Sequence, residues 1–504
     1  MQFTSTGSDL HEPLMAFSLA AASSLRKRTD FHSTSIDVMK CHDNPEQAIK
    51  RLGYARIGVP DDAIDLLIWL DGRAEICVVT AHGRADAPSI LGPAGLFRTH
   101  GRGFGQGSRS ASPGWRCISD VHLAMQYDSV ESHSPVTLRG PNPGSVIPLA
   151  AVLYEDDSQL FSSSRRGAVH RIMVERLFLA FILAEWKIEK CSHSGVEWHG
   201  TPASWTDVAV EGWAPPFYSV AEYFAGSPHG SAVGLAPEGT VPTVALADGQ
   251  TYLGNQISPR LDHSNHLASL ATRARAAAAC IFAVAFRLRK LQTLHYLCHW
   301  YGYGKEEHRI LHSAGTSREI GRIECGYRAT LTSGSRLGRN FSCDATHGFA
   351  ALGGLGFTRW WDRVRTRHLS LMVRSLRRDY WLGHAWEGAI YEAWHDSASA
   401  ECSPLASPTI ATWTSESERY GPGTPLLHAC IWLSQLGVGL SGFEPPPRLS
   451  KATSHCSPLR ATSSSGSSCA AAAAAPAPSG SARSSPTTAA TSSFPAVCRL
   501  HGAR

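Results

Sequence analysis

The sequence predicts an α+β fold that is followed by a helical part and by a tail that does not order itself. Between about residues 34 and 198, short apolar runs alternate with helix-like stretches and are separated by Gly/Pro-rich loops. From Leu267 to Tyr301, apolar residues recur at near-helical spacing among basic ones, which predicts a long basic helix or a helix pair. Beyond about Glu444 the composition is dominated by Ser, Ala and Pro, which bury too little apolar surface to fold.

The basic residues are consistent with a nucleic-acid partner. The chain of 504 residues has a net charge of +5, and only eight of its 47 basic residues are lysine. Arginine binds phosphate oxygens through its planar fork and stacks on bases. A GC-rich coding sequence explains the same bias, because arginine codons are GC-rich, so both interpretations stay open.

The cysteines and the apolar segments predict an intracellular protein, in the nucleus or the cytoplasm. The 13 cysteines have no regular spacing and form no Cys-x-x-Cys pair, which is typical of free thiols in a reducing compartment. The apolar run Leu14–Leu25 is followed by basic residues, the wrong polarity for a secretory signal. The stretches Leu177–Ala184 and Ala276–Phe286 are shorter than the roughly 20 residues that a membrane span needs. We therefore expect core helices and no membrane partner.

Asp37 is expected to close the first strand of the fold. Thr34–Ile36 would form a short strand that delivers Asp37, and a helix would begin at Asn44-Pro45-Glu46, with proline at its first position. Many strand–helix turns carry an aspartate that only caps the helix, so Asp37 alone does not indicate a metal site.

Two adjacent carboxylates lie at the tip of a predicted hairpin, where Val152–Tyr154 and Ser158–Phe161 flank Glu155-Asp156-Asp157. Acids crowded at one tip repel one another unless a cation is present, and Mg²⁺ prefers carboxylate oxygens. Nucleotide polymerases need two or three aspartates that converge from different strands on two Mg²⁺ ions. A solvated acidic turn is the alternative interpretation.

These motifs occur in an order that resembles the reverse transcriptase family. Asp37-x-x-Lys40-Cys41-His42-Asp43-Asn44 resembles its first palm motif. Gly105-Gln106-Gly107, followed by Ser112-Pro113, resembles its Gln-Gly…Ser-Pro motif, and Tyr154-Glu155-Asp156-Asp157 resembles its Tyr/Phe-x-Asp-Asp box.

The resemblance continues downstream and covers about residues 30–385. Trp186–Cys191 matches the segment after the box, in which the family keeps a lysine. Thr251-Tyr252-Leu253-Gly254 resembles the entry into the thumb of non-LTR (LINE-like) retrotransposon and group II intron-like enzymes, and Gly353–Gly356 resembles their post-thumb region.

The resemblance implies a right-hand polymerase palm, which is an antiparallel sheet with flanking helices, and a helical thumb. The implied organisation is a truncated fingers remnant or an unstructured segment at 1–33, the palm at 34–200, a connector at 201–245, the thumb at 246–305, a basic helical region at 306–400, and a disordered tail at 445–504.

The resemblance also implies an RNA-directed DNA polymerase that uses an RNA template, a DNA primer and deoxynucleoside triphosphates. Asp37, Asp156 and Asp157 would ligate two Mg²⁺ ions, or Mn²⁺, and Lys190 would be a candidate proton donor to pyrophosphate. The implied substrate-binding residues are His42, Gly105, Gln106, Gly107 and Tyr154. The implied nucleic-acid-binding residues of the thumb are Arg273, Arg275, Arg287, Arg289 and Lys290.

The chain departs from the family pattern at three points, and two of them, Glu155 and the missing fingers, favour an alternative, a catalytically inactive retroelement remnant that at most binds nucleic acid. The intact Asp37, Asp156 and Asp157 argue against complete decay. Glu155 replaces a small residue beside the metal site, and His42 replaces the Phe or Tyr that excludes a 2′-hydroxyl. Only 36 residues precede Asp37, which is too few for complete fingers, so we expect a truncated N-terminus.

Two further patterns are not interpreted as sites. The fingerprint Gly437-x-Gly439-x-x-Gly442 is followed by residues 443–445, Phe-Glu-Pro, where a dinucleotide-binding helix must begin. A second set has helical zinc-ligand spacing but lacks a closing cysteine pair or an acid, and we interpret its members as surface and packing groups. This set is His295, Cys298, His299, His308 and His312.

Overall fold

The chain has a mixed architecture of antiparallel strands and many helices. The computed structural model describes residues 11–39, 41, 45–72, 79–80, 83–84, 111–128, 134–142, 144–200, 206–210, 212–225, 227, 229–288, 291–313, 315–334, 337, 341–348, 352, 354–377, 380–396, 425–436, 438–440 and 500–502.

The described strands, in chain order, are β1 Phe31–Met39, β2 Val79–Thr80, β3 Gly83–Arg84, β4 Val136–Arg139, β5 Val146–Leu149, β6 Ala151–Tyr154, β7 Asp157–Ser162, β8 Glu185–Trp186, β9 Ser192–His199, β10 Thr206–Ala209, β11 Pro216–Phe217, β12 Gly239–Thr240, β13 Gln250–Tyr252, β14 Asn255–Ile257, β15 Val438–Leu440 and β16 Leu500–Gly502.

The described helices are α1 His11–Lys27, α2 Gln47–Arg56, α3 Asp61–Gly72, α4 Ala111–Asp128, α5 Arg165–Phe181, α6 Val220–Tyr223, α7 Ser264–Leu288, α8 Leu291–Tyr296, α9 Gly304–Ile310, α10 Ser317–Gly334, α11 Cys343–His347, α12 Trp360–Arg377, α13 Trp381–Asp396 and α14 Pro425–Leu436. A 3₁₀ turn spans Ile188–Lys190, and a π-helix spans Leu297–Tyr303 between α8 and α9.

The central sheet has β1 in its middle. Its strand order is β10-β9-β1-β7-β6, β8 pairs with the end of β1, and the pairings are antiparallel. The predicted strand Thr34–Ile36 is too short, because β1 continues through Val38 and Met39, which pair with β8. Asp37 therefore lies inside the strand and not after its end.

The two faces of the sheet are covered by different helices. Ile36, Leu153 and Leu160 pack against α4 and α5. On the opposite face Phe31 and Phe161 pack against α1, together with α12, α13 and α14. Successive side chains of a strand point to opposite faces, so Asp37 and Asp157 belong to this second face, with residues 31 and 161.

Of the two alternatives for residues 1–33, a fingers remnant or an unstructured segment, the described part is ordered, as helix α1 and the start of β1. Residues 11–24 are all buried in α1, and Phe17 packs edge-on against Phe31 with ring centroids 5.7 Å apart. The run Leu14–Leu25 is apolar almost all round, which is typical of a helix that is covered on every side.

A second core joins the helices on both sides of the predicted boundary at residue 305. Leu270 and Ile281 of α7, Tyr327 of α10 and Trp360 of α12 are buried in the same cluster. The stretch Ser264–Val284 is long and apolar enough to cross a membrane by length and composition, and about a third of it, 33%, is buried here. Its apolar residues thus have a packing role within this helical body.

Several predicted boundaries differ from the observed ones by a few residues. The helix expected at Asn44 begins at Gln47. The helix expected over Leu267–Tyr301 is divided into α7, α8 and the π-helix. Most of the predicted tail, 445–499, lies outside the described residues, whereas residues 500–502 pair with β15.

Candidate functional site

Asp37 and Asp157 lie directly opposite each other on β1 and β7. Directly opposed residues of an antiparallel pair have Cβ atoms about 5 Å apart on the same face of the sheet. Asp157 also pairs with Tyr154 across the β6–β7 hairpin, so Glu155 and Asp156 form its two-residue turn. The sheet thus brings together carboxylates that are far apart in the sequence.

The hairpin turn is held by the start of α4. Glu155 has φ of +52°, the left-handed conformation that two-residue hairpin turns require at their first position. The indole of Trp115 donates a hydrogen bond to the Glu155 carbonyl oxygen at 2.6 Å, and the Ser112 hydroxyl donates to Glu155 Oε1 at 2.9 Å. Ser112 belongs to the predicted Ser-Pro motif, so two motifs found separately in the sequence meet at this turn.

Lys190 lies on the other side of Asp37. The 3₁₀ turn Ile188–Lys190 follows β8, and the Lys187 amide donates to the Asp37 carbonyl oxygen at 3.0 Å. This contact places Lys190 Nζ 2.9 Å from Asp37 Oδ2. The hydrogen bond and the charge of Asp37 raise the pKa of the Lys190 ammonium, which therefore stays protonated at neutral pH.

The carboxylates repel one another. Burial, followed by the charges of Asp156 and Asp37, raises the pKa of Asp157 to about 7, and the Lys190 ammonium opposes this shift. Asp156 is exposed at the tip of the turn. A carboxyl whose ionisation is disfavoured in this way favours a bound cation.

The donor set fits a hard divalent cation, since it consists of carboxylate oxygens on Asp37, Asp156 and Asp157. Within the described part of the chain, however, no group of three or more His, Cys, Asp or Glu side chains is arranged to hold a metal ion. At Asp37 an ammonium group is already present. Metal binding at these residues would therefore require Lys190 to move away from Asp37.

A buried network of side-chain amides supports the sheet on the same face as the acids. The Gln250 amide of β13 donates to the carbonyl oxygens of Ser33 and Ser192 at 2.9 and 2.7 Å. Its Oε1 accepts from the Ser33 hydroxyl at 2.9 Å and from Gln159 at 3.2 Å. Gln250 directly precedes the predicted Thr251–Gly254 motif, which was the only sequence signal for it.

A buried acid–histidine pair supports the opposite face. His122 Nε2 of α4 lies 2.7 Å from Glu175 Oε2 of α5, and both side chains are buried. The hydroxyl of Ser158, the residue after Asp157, donates to Glu175 Oε1 at 3.4 Å. His122 and Glu175 belong to no sequence motif and are far apart in the chain, so no local pattern predicts this pair.

The remaining predicted site residues are distributed as follows. Tyr154 is half-buried at the edge of the core that includes α1. Arg273 and Arg275 are exposed on α7, and Arg287 lies in the last turn of that helix. His42, Gly105, Gln106, Gly107, Arg289 and Lys290 lie outside the described residues.

The five residues with zinc-ligand spacing do not converge. His295 and His299 stack with ring centroids 5.5 Å apart, whereas His312 turns away from them to His11 of α1, with Nε2 and Nδ1 2.5 Å apart. Their burial and ring contacts agree with packing roles.

Comparison of the chain with protein-family models and with curated proteins gave no match.

Proposed function

We propose that this chain is a reverse transcriptase-like nucleotidyltransferase of retroelement origin, an RNA-directed DNA polymerase. The observation that carries the proposal is the register of β1 and β7, which sets Asp37 opposite Asp157 beside an exposed Asp156. Carboxylates that converge from neighbouring strands and from the turn between them suit two-metal phosphoryl transfer.

In this proposal, Asp37, Asp156 and Asp157 hold two Mg²⁺ or Mn²⁺ ions. When bound, the ions would activate the primer 3′-hydroxyl and stabilise the leaving pyrophosphate. Lys190, which is protonated and lies 2.9 Å from Asp37, would leave Asp37 on metal binding and give a proton to pyrophosphate. Exposed Arg273 and Arg275 on α7 supply positive charge for the phosphates of template and primer.

Primer extension on an RNA template tests the proposal. Purified full-length protein with Mg²⁺ or Mn²⁺ and a high deoxynucleotide concentration should extend a DNA primer. Asp37→Asn and Asp157→Asn should abolish extension, because an amide keeps the shape of the side chain but loses the charge that holds the ion. The matched control is Asp248→Asn, an exposed turn aspartate remote in sequence from Asp37 and Asp157, which should retain activity. Absence of extension by the unaltered chain with both metals would refute the enzymatic function.

A nucleic-acid-binding protein without catalytic activity is the second candidate. The observation that favours it is the Lys190 ammonium, which neutralises Asp37 in the way that a metal ion would. This candidate predicts RNA and DNA binding that weakens steeply with added salt, because counterions are released on binding. Binding of this kind, without extension and without an effect of Mg²⁺, would support it over the polymerase.

A further inference from the structure

Three large aromatic side chains are exposed together at the junction of α8 and the π-helix. Tyr296, Trp300 and Tyr301 have exposed fractions of 61%, 61% and 57%. They lie within six consecutive residues, whereas Cys298 and Tyr303 of the same segment are buried in the helical core. The aromatic rings therefore lie on the outer side of this segment.

The π-helix explains why all three rings share one side. In a π-helix each amide bonds to the carbonyl five residues earlier, so the turn is wider than in an α-helix. In this wider turn, the residues four and five positions after a given residue lie on either side of it when the helix is viewed along its axis. Trp300 and Tyr301 therefore lie on either side of Tyr296. In a continuous α-helix Tyr301 would be rotated away from Tyr296.

One positive charge, on Lys305, lies beside this aromatic face. The Lys305 ammonium lies 6.0 Å from the centre of the Tyr301 ring. Glu306 is buried, and its carboxylate lies 3.4 Å from Arg309. Glu307 lies 4.0 Å from Arg363, so neither acid adds an unbalanced negative charge.

We propose that Tyr296, Trp300 and Tyr301, which we call the aromatic platform, bind single-stranded nucleic acid by stacking on its bases. Lys305 would contact a phosphate next to the stacked base. Exposed rings beside a cation suit a base and its phosphate, and every base offers a π-face, so binding should show little sequence preference. The proposal does not depend on the acidic site and stands even if the chain has no polymerase activity.

Binding of two oligomers of equal charge tests the platform. One is a labelled oligothymidylate of about 12 nucleotides, and the other is a backbone of the same length without bases. The unaltered chain should bind oligothymidylate at least tenfold more tightly than the abasic backbone, measured by fluorescence anisotropy. Trp300→Ala and Tyr301→Ala should each weaken oligothymidylate binding about tenfold and leave abasic binding unchanged, whereas Trp300→Phe should retain most of the affinity.

Two further variants separate stacking from other effects. Lys305→Gln should weaken binding to both oligomers by a similar factor, because it removes a phosphate contact. Trp69→Ala alters an exposed tryptophan of α3, with an exposed fraction of 52%, and should change neither affinity. The proposal is overturned if the unaltered chain binds both oligomers equally, or if Trp300→Ala weakens both. If primer extension is observed but oligothymidylate binding does not depend on the platform, only the platform proposal is refuted. If oligothymidylate binding depends on the platform but no primer extension is observed, only the polymerase proposal is refuted.

Discussion

The hydroxyl of Ser112 donates a hydrogen bond to Glu155 Oε1 at 2.9 Å, which ties the start of α4 to the tip of the acidic hairpin. Glu155 is the residue that departs from the Tyr/Phe-x-Asp-Asp pattern, and the sequence suggested an extra charge beside the metal site. The structure gives that carboxylate a partner on α4. The departure is therefore a contact that positions the turn and does not by itself count against a functional site.

A double-mutant cycle measures this contact. Ser112→Ala and Glu155→Gln should each lower the free energy of unfolding by on the order of 1 kcal/mol, since each removes or weakens one hydrogen bond to a charged group. The double variant should lose less than the sum of the two, with a coupling of about 1 kcal/mol, measured by urea denaturation. The neighbouring Ser119→Ala, whose hydroxyl bonds within α4 to Trp115, is the control and should show no coupling to Glu155. Additive losses from Ser112 and Glu155 would contradict the hydrogen bond.

The positions of Asp37 and Asp157 could be predicted from the sequence, whereas the buried side chains that support their strands could not. Asp37, the hairpin and Lys190 follow one another in an order that the family pattern specifies, so their positions were found without the fold. Gln250 bonds to Ser33 over more than two hundred residues, and no local spacing signals such a contact. Helix α1 was missed for a different reason. Its apolar run has the wrong flanking charges for a secretory signal, and a segment that is apolar on all sides also indicates a buried core helix.

Asp157→Asn should stabilise the protein in the absence of metal. Burial first, then Asp156 and Asp37, raises the folded-state pKa of Asp157 to about 7, above the ordinary value of 3.8. The folded state therefore retains a proton that the unfolded state loses, and this contribution to stability declines as the pH rises from about 4 to about 7. At about pH 8 the variant should gain on the order of 2 kcal/mol in the free energy of unfolding.

Denaturation at this pH, with chelator and with Mg²⁺, checks the prediction. Mg²⁺ should stabilise the unaltered chain and have no such effect on the Asp157→Asn variant, because the ion requires the carboxylate. Asp248→Asn should behave like the unaltered chain under both conditions. A loss of stability in the chelated Asp157→Asn variant would show that the carboxylate is structural.

Lys190→Met should change metal binding and turnover in opposite directions. The Lys190 ammonium lies 2.9 Å from Asp37 Oδ2. Because the substitution removes the ammonium and leaves this oxygen open to a metal ion, it should tighten Mn²⁺ binding several-fold, as measured by titration calorimetry. The rate of primer extension should fall about 100-fold or more if Lys190 gives a proton to pyrophosphate. Lys187→Met is the matched control, since this neighbouring lysine lies 3.8 Å from Glu189 and should affect neither quantity. Weaker Mn²⁺ binding by Lys190→Met would contradict the competition between ammonium and metal.

Acid should weaken the junction between the sheet and the helical body, where buried histidines meet. His312 lies against His11 of α1, and the Nε2–H of His368 on α12 donates a hydrogen bond to the Leu311 carbonyl oxygen at 2.5 Å. Burial lowers the pKa of His368 to about 4, and burial, followed by the charge of His11, lowers the pKa of His312 well below its ordinary value. These histidines are therefore neutral in the folded protein at neutral pH.

The lowered pKa values of His312 and His368 determine how the free energy of unfolding changes with pH. Both pKa values lie below the ordinary value of 6.5, so the unfolded state binds more protons as the pH falls below 6.5. The contribution of these histidines to the free energy of unfolding should be constant above that pH and decline below it, by up to about 1.4 kcal/mol per pH unit for each of them. Asp157 contributes in the opposite direction between about pH 4 and pH 7, and does so equally in the two histidine variants. Urea denaturation between about pH 7.5 and pH 5 measures the slope. His368→Gln, which keeps a donor for the Leu311 carbonyl but does not titrate, should reduce the slope, whereas exposed His199→Gln should leave it unchanged. A slope that His368→Gln leaves unaltered would show that His368 is already accessible to protons in the folded protein.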